Sequence, residues 1–285
     1  MGQWEIIGQD RTDYPHPACP YLSGFDIDHF LRYCPCITRQ FHKDSTMIEI
    51  IRADQRHFSD FNWLQTYWLF SFSNYYDPQN IQFGALRVFN DDVVAPGTGF
   101  PTHPHEEMEI ITIVLEGEMT HEDSMGNKTV IKIGDVQRMS AGTGLTHSEF
   151  NLHDTPVHFY QIWIFPDERE LPPTYDQKSF DAAEWSNRLL PVASGQQIEG
   201  TVSFHTDATI YRCALDKTGD VTHGATAGRR TFVYLTEGQM TVNGHAMVSK
   251  DQARIDTEEP IVLAAQKDSE FILVALLQRL GTRQP

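Results

Sequence analysis

From Met47 to Phe165 the chain is a succession of short β-branched and aromatic runs cut by turn residues: MIEIIRA, WLFSF, FGALRVFN, EIITIVLEG, NKTVIKIG, VQRMSAG and HFYQIWIF. No amphipathic stretch of helical period separates them, which argues against βαβ units and for an antiparallel sandwich or barrel. DSMGN, residues 123–127, has the composition of a hairpin loop between EGEMTHE and KTVIKIG.

The segment PDERELPPTYDQKSF, residues 166–180, is rich in proline and charge and reads as a connector. Beyond it the strand pattern returns as TVSFH, IYRCAL, RTFVYLTEG, QMTVNG, PIVLAA and FILVALL. EGEMT at 116–120 recurs as EGQMT at 237–241, and Gly134–Asp135 is echoed by Lys250–Asp251, the trace that a duplicated β-barrel would leave. The expected organisation is therefore a barrel over 47–165, a linker over 166–180 and a second barrel over 181–285. Residues 1–46 form an N-terminal appendage with one short helical stretch, FDIDHFLRYC, and Met47 could itself serve as a start.

A chain of 285 residues has room for two compact units. With 22 basic against 39 acidic residues its formal charge is −17, which repels phosphate backbones and excludes direct nucleic-acid binding as the expected function. No run approaches the roughly 20 apolar residues of a membrane helix, and MGQWEIIGQD lacks a secretory pattern, so a soluble, cytoplasmic protein is expected. Four cysteines, three of them (Cys19, Cys34, Cys36) in the appendage and Cys213 alone, make no disulfide framework or zinc spacing.

The chemistry concentrates in two stretches. FPTHPHEEMEI sets His103 and His105 two apart, and TGLTHSEFN sets His147 and Glu149 at the same spacing. Side chains at i and i+2 of a strand share a face, so neighbouring strands with those faces inward would bring three imidazoles and a carboxylate together. Such a donor set suits one divalent transition metal, Fe(II), Mn, Co, Ni, Cu or Zn, with coordination positions left open. Glu109 shares parity with the pair and is a candidate fifth ligand or inward acid. His121, His153, His158 and His205 are single strand histidines and are set aside. No phosphate loop, dinucleotide fingerprint or G-x-S-x-G elbow is present.

Gly97, then HPH, Glu109 and the LEG turn, followed by GDVQRMSAGTGLTHSE and Asn151, resemble the two motifs of the cupin superfamily in the form used by pirins. SFSNYYDP, ALRVFNDD, GFPTHPHEEMEI, THEDSMGN and YQIWI are similar to bacterial pirin-like quercetinases, densely up to Phe165 and more thinly to Leu277. The resemblance implies an all-β bicupin of two jelly-roll barrels packed face to face, the first holding one metal, with Fe(II) favoured, through His103, His105, His147 and Glu149. It favours Glu149 over Glu109 as the carboxylate ligand.

Sliding the repeat by EGEMT to EGQMT puts Gly224 and Thr226 at the positions of His103 and His105, and sliding by the GD to KD echo puts Leu263 and Ala265 at those of His147 and Glu149. None is a ligand and His223 stands alone, so the second barrel is expected to be metal-free.

By resemblance the expected reaction is dioxygenase opening of a flavonol such as quercetin, or another enolisable compound, by O2 with release of carbon monoxide. Glu149 would be the catalytic base for the acidic hydroxyl, and Phe100, Met108, Met139 and Trp163 an apolar substrate wall. The competing expectation, from resemblance to nuclear pirins, is an iron-binding redox sensor acting through a protein partner. Both share the same ligands.

Overall fold

The computed structural model describes residues 47–224, 226 and 228–277, which form strands and two short 3-10 turns without an α-helix. The cysteines Cys19, Cys34 and Cys36 and the FDIDHFLRYC stretch lie outside the described residues. In chain order the strands of the first half are β1 (Met47–Ile51), β2 (His57–Asp60), β3 (Leu64–Trp68), β4 (Leu86–Val94), β5 (Gly99–His105), β6 (Glu109–Glu116), β7 (Glu118–Asp123), β8 (Lys128–Lys132), β9 (Asp135–Ser140), β10 (Leu145–Phe150), β11 (Val157–Ile164) and β12 (Thr174–Ser179). The second half holds β13 (Leu190–Ser194), β14 (Val202–Ser203), β15 (Ala208–Leu215), β16 (Asp220–His223), β17 (Arg229–Glu237), β18 (Gln239–Val242), β19 (His245–Val248), β20 (Gln252–Asp256), β21 (Ile261–Ala265) and β22 (Ser269–Leu277).

These strands make two barrels, each from a seven-stranded and a four-stranded sheet. The inner order β9-β6-β11-β4 of one is matched by β20-β17-β22-β15 of the other, and β5-β10-β7-β8 by β16-β21-β18-β19. The duplication expected from EGEMT and EGQMT is thus present strand for strand. Both copies turn at a glycine in the left-handed region, Gly117 (φ 72°) and Gly238 (φ 99°). A Cβ there would meet Pro156 O at 2.8 Å or Asp268 O at 2.3 Å, so no other residue fits either turn.

Strand alternation divides the core. Ile111 and Ile113 of β6, with Phe89 and Tyr160, face Phe232, Tyr234, Ile272 and Val274 of the second barrel, so the two large sheets pack face to face on a shared apolar layer. The rings of Phe89 and Tyr234 lie 5.0 Å apart, and Tyr160 meets Tyr234 edge-on. The second barrel is filled by a separate apolar cluster that includes Val233, Met240, Leu263 and Leu273. The first barrel's interior is split into two clusters, one around Val114, Met119 and Phe159 and one around Ile110, Met139 and Leu145. Buried Asp92, Thr112, His121, Gln137, Glu149 and Gln161 belong to neither, and they supply the functional site.

Three local readings change. In WLFSF the strand ends at Trp68; Leu69 and Phe70 are apolar because they enter the inter-barrel core. The proline-rich connector carries β12, which extends the first barrel's sheet beside β9. β1, expected to open the first barrel, pairs instead with β20 of the second, Met47 opposite Asp256.

A candidate metal centre in the first barrel

The β5, β10 and β7 strands lie side by side in the small sheet, with His147 opposite His103 and Glu149 opposite His121. A register shift between His147 and Glu149 skips one residue of β5, so Glu149 pairs with Phe100. A Cβ on Gly99 would stand 2.2 Å from the Glu149 carbonyl oxygen, and the glycine is what lets β5 close on β10 at this point.

The nitrogens of His103, His105 and His147 converge within 4.8 Å of one another. His103 Nδ1 lies 2.8 Å from the Pro101 carbonyl and donates to it, which directs Nε2 toward His147 Nε2, 3.1 Å away. Burial, and then mutual repulsion, hold these imidazoles neutral: His105 is pushed down to about 3 and His147 to about 2, while burial also lowers His103. Neutral imidazoles are the form that binds metal.

Glu149 is 1% exposed. Its Oε2 accepts from Gln161 Nε2 at 3.1 Å, and the Gln161 Oε1 accepts from Trp163 Nε1 at 3.3 Å. Oε1 is buried with no partner. Burial, opposed by the Gln161 bond, pushes the carboxyl up to about 7. Asp92 is likewise pushed up to about 8, first by burial and further by the charges of Asp91 and Glu149.

His121, set aside on sequence, belongs to this centre. Fully buried, it forms a second converging group with His147 and Glu149. Its own nitrogens have partners, Asp123 Oδ2 at 3.2 Å from Nε2 and Gln137 Nε2 at 3.3 Å from Nδ1, and Tyr175 stacks on its ring. A signal existed: His121 shares strand parity with the buried Met119. Gln161 lay within YQIWI but carried no spacing that singled it out, and Tyr175 lay in the connector.

Glu109 is not at the centre. Residues 106–108 interrupt the strand after His105, and the parity restarts with Glu109 on the Ile111 face, toward the second barrel. There it accepts from Ser140 Oγ at 2.5 Å and lies 3.1 Å from His205 Nδ1. His158 of β11 pairs with Asp91, and His153, which lies in the loop after β10 and not on a strand, pairs with Glu118.

Of the expected wall residues, Met108, Met139 and Trp163 pack in one cluster with Tyr175, and Trp163 stands edge-on to His105 at 4.9 Å. Phe100 instead packs with Trp63 toward the other end of the barrel, 6.3 Å from His103.

In the second barrel the ladder corrects the sequence offset. Val242 pairs with Leu263 as His121 pairs with Glu149, which fixes the frame of the small sheet. Ile261 pairs with His223 as His147 pairs with His103, so His223, not Gly224, occupies the position of His103. The same registers set Val242, Ala253, Leu273, Ile261 and Leu263 where the first barrel has His121, Gln137, Gln161, His147 and Glu149, and all five are in the apolar core. Only His223 remains of the donor set.

Comparison with known proteins agrees with this geometry. The Pirin family model matches residues 51–164, and the quercetinase C-terminal cupin domain model matches residues 191–276. The chain is 43% identical over 231 residues to quercetin 2,3-dioxygenase of Escherichia coli, covering 81% of this chain and 99% of that protein. It is 39% identical to the pirin-like protein of Caulobacter vibrioides, over 80% of this chain and 99% of that protein. The crystal structure of the bacterial pirin YhhW from Escherichia coli in complex with nickel(II) superposes with a TM-score of 0.77 at 41% identity, covering 81% of this chain and 99% of that one. The two cupin barrels, the histidine cluster found among the described residues in the first of them and this similarity along nearly the whole length of its relatives establish that the chain belongs to the pirin family.

Proposed function

We propose that the protein is a metal-dependent dioxygenase that opens the ring of a flavonol, taking up one O2 for each carbon monoxide released. The observation that carries this reading is the unpartnered Oε1 of buried Glu149 beside His147, itself one of three neutral imidazoles whose nitrogens converge. A buried carboxylate oxygen without a partner costs roughly 1–3 kcal/mol, and a cation or an acidic hydroxyl placed there removes that cost. His103, His105, His147 and Glu149 are the residues that would hold a divalent transition metal. When bound, such a metal supplies Lewis-acid stabilisation of an oxyanion and an open position for it.

The chain's own residues do the rest. Glu149 would serve in turn as ligand and as base: on Oε1, the oxygen otherwise free for a metal, it takes the proton of the acidic flavonol hydroxyl, while Gln161 keeps Oε2 fixed. Trp163, Met108 and Met139 offer a flat apolar wall beside His105 that orients the fused rings and keeps water from the anion. The relative named quercetin 2,3-dioxygenase supports the substrate class, and the nickel complex supports a metal at this centre.

The test is oxygen uptake and carbon monoxide release on adding quercetin to protein loaded separately with Fe(II), Ni(II) or Cu(II). Turnover with equal O2 and carbon monoxide supports the reading. A fully metallated protein that consumes no oxygen with any of the three overturns it and favours a metal-dependent regulatory protein.

A further inference from the structure

The second barrel has lost the metal donors, yet its mouth is open and has been relined. In the first barrel that mouth is lined by Met108, Ile110, Met139, Ala141, Leu145 and Trp163, a continuous apolar wall. Ladder for ladder, the counterparts of Met108, Ile110, Met139, Ala141 and Trp163 in the second are Arg229, Thr231, Ile255, Thr257 and Ala275: Thr231 pairs with Ile255 and Ala275 as Ile110 pairs with Met139 and Trp163. Replacing the indole by a methyl group leaves a pocket of about 250 Å³, lined by Arg229, Thr231, Thr257 and Ala275 together with Gln196, Tyr211 and His223. Four of these five wall positions have thus exchanged an apolar contact for a cation, two hydroxyls or empty space. His223, the one surviving donor, faces Tyr211 edge-on at 5.5 Å.

Arg229 is held at this mouth by Asp207, whose Oδ1 accepts from Nη1 at 2.9 Å and whose carbonyl accepts from Nη2 at 3.3 Å. Gln196 donates to the same Oδ1, so the carboxylate is anchored from both sides. A guanidinium has five N–H donors, and these two bonds fix its plane without exhausting them. Burial and the neighbouring Arg229 lower the pKa of His223, so it presents a neutral ring.

We propose that this mouth is a metal-independent binding site for a small carboxylate, whose anionic end is read by Arg229 and the Thr231 hydroxyl and whose body occupies the space left at Ala275. The site is independent of the chemistry in the first barrel.

The experiment is saturation-transfer NMR and calorimetry on the full chain, with benzoate as the probe and benzamide as its uncharged counterpart. Benzoate is expected to bind saturably, and benzamide at least roughly tenfold more weakly, since a hydrogen bond to a charged partner contributes about 1.5–3 kcal/mol. Ala275→Trp, which refills the space, and Arg229→Met, which restores the first barrel's residue, should each weaken benzoate by at least the same factor, with unchanged thermal unfolding. His147→Ala should leave it unaltered. Because Arg229→Met also frees Asp207, Thr231→Val serves as a second test of the polar lining. Absence of saturable binding, equal affinity for benzamide, indifference to Ala275→Trp, or loss in His147→Ala would each overturn the proposal.

Discussion

The Nε2 atoms of His103 and His147 lie 3.1 Å apart across paired strands, and the carbonyl of Pro101 fixes which nitrogen His103 turns toward its neighbour. The same backbone that pairs β5 with β10 therefore sets the aim of the donors.

Replacing His103 or His147 by Ala should abolish stoichiometric metal retention after dialysis, since each takes a converging donor from a trio. Elemental analysis measures this directly. Thermal unfolding of the metal-free variants should be little changed, because metal-free protein has no metal linkage to lose.

Glu149→Gln keeps the three imidazoles and should still bind metal, while flavonol turnover falls by about 10²–10⁴, the usual contribution of a positioned base. Single-turnover kinetics on protein of matched metal content checks it. Unchanged turnover would remove Glu149 from the mechanism.

Gln161→Leu releases Glu149 Oε2 and leaves the Trp163 Nε1 donor without its acceptor. Metal content should persist, turnover should fall by roughly 10–100-fold as for partners that orient ligands, and Trp163 fluorescence should shift. A change in fluorescence with no change in rate would confine Gln161 to packing.

Acid should destabilise the metal-free protein below about pH 6.5. Between about 4.5 and 6.5 the unfolded chain protonates its histidines, whereas folded His105 and His147, at about 3 and 2, do not, and His103 and His121 shift the same way. There the unfolded state binds more protons, so stability rises with pH. Glu149 and Asp92, raised to about 7 and 8, act with the opposite sign, four imidazoles outweighing two carboxyls below 6.5 and the carboxyls alone lowering stability above it. Urea midpoints from pH 5 to 8 should therefore peak near 6.5 in metal-free protein.

Glu109→Ala should cost about 1–3 kcal/mol, because it strands the buried Ser140 hydroxyl and the His205 contact between barrels, and it should leave metal content intact. Loss of metal in this variant would return Glu109 to the centre.

Strand periodicity, the EGEMT echo and the paired H-x-H and H-x-E spacings made the two barrels and the convergence of His103, His105 and His147 legible, because each is a property of period two. What failed were features set by partners across the sheet. His121 is brought to the site by the β7 ladder and not by its neighbours in sequence. Glu109 has the right parity only if the strand runs on unbroken, and residues 106–108 break it. The second barrel's His223 was missed as the counterpart of His103 because the loop before β17 differs in length, so an offset carried from one strand does not hold for the next.

The pairing of Met47–Ile51 with Gln252–Asp256 also has a meaning in time. β1, the first strand among the described residues, waits for about 200 further residues before its partner exists. Closing so long a loop adds only slowly to the entropy cost, but it delays this pairing until late in synthesis. Until then β1 has no ladder partner, and β20, once made, keeps its outer edge open until β1 docks, a template for intermolecular pairing. Synthesis speed and chaperone access near the end of translation should therefore govern the yield of soluble protein, and the isolated second barrel should aggregate unless that strand is supplied.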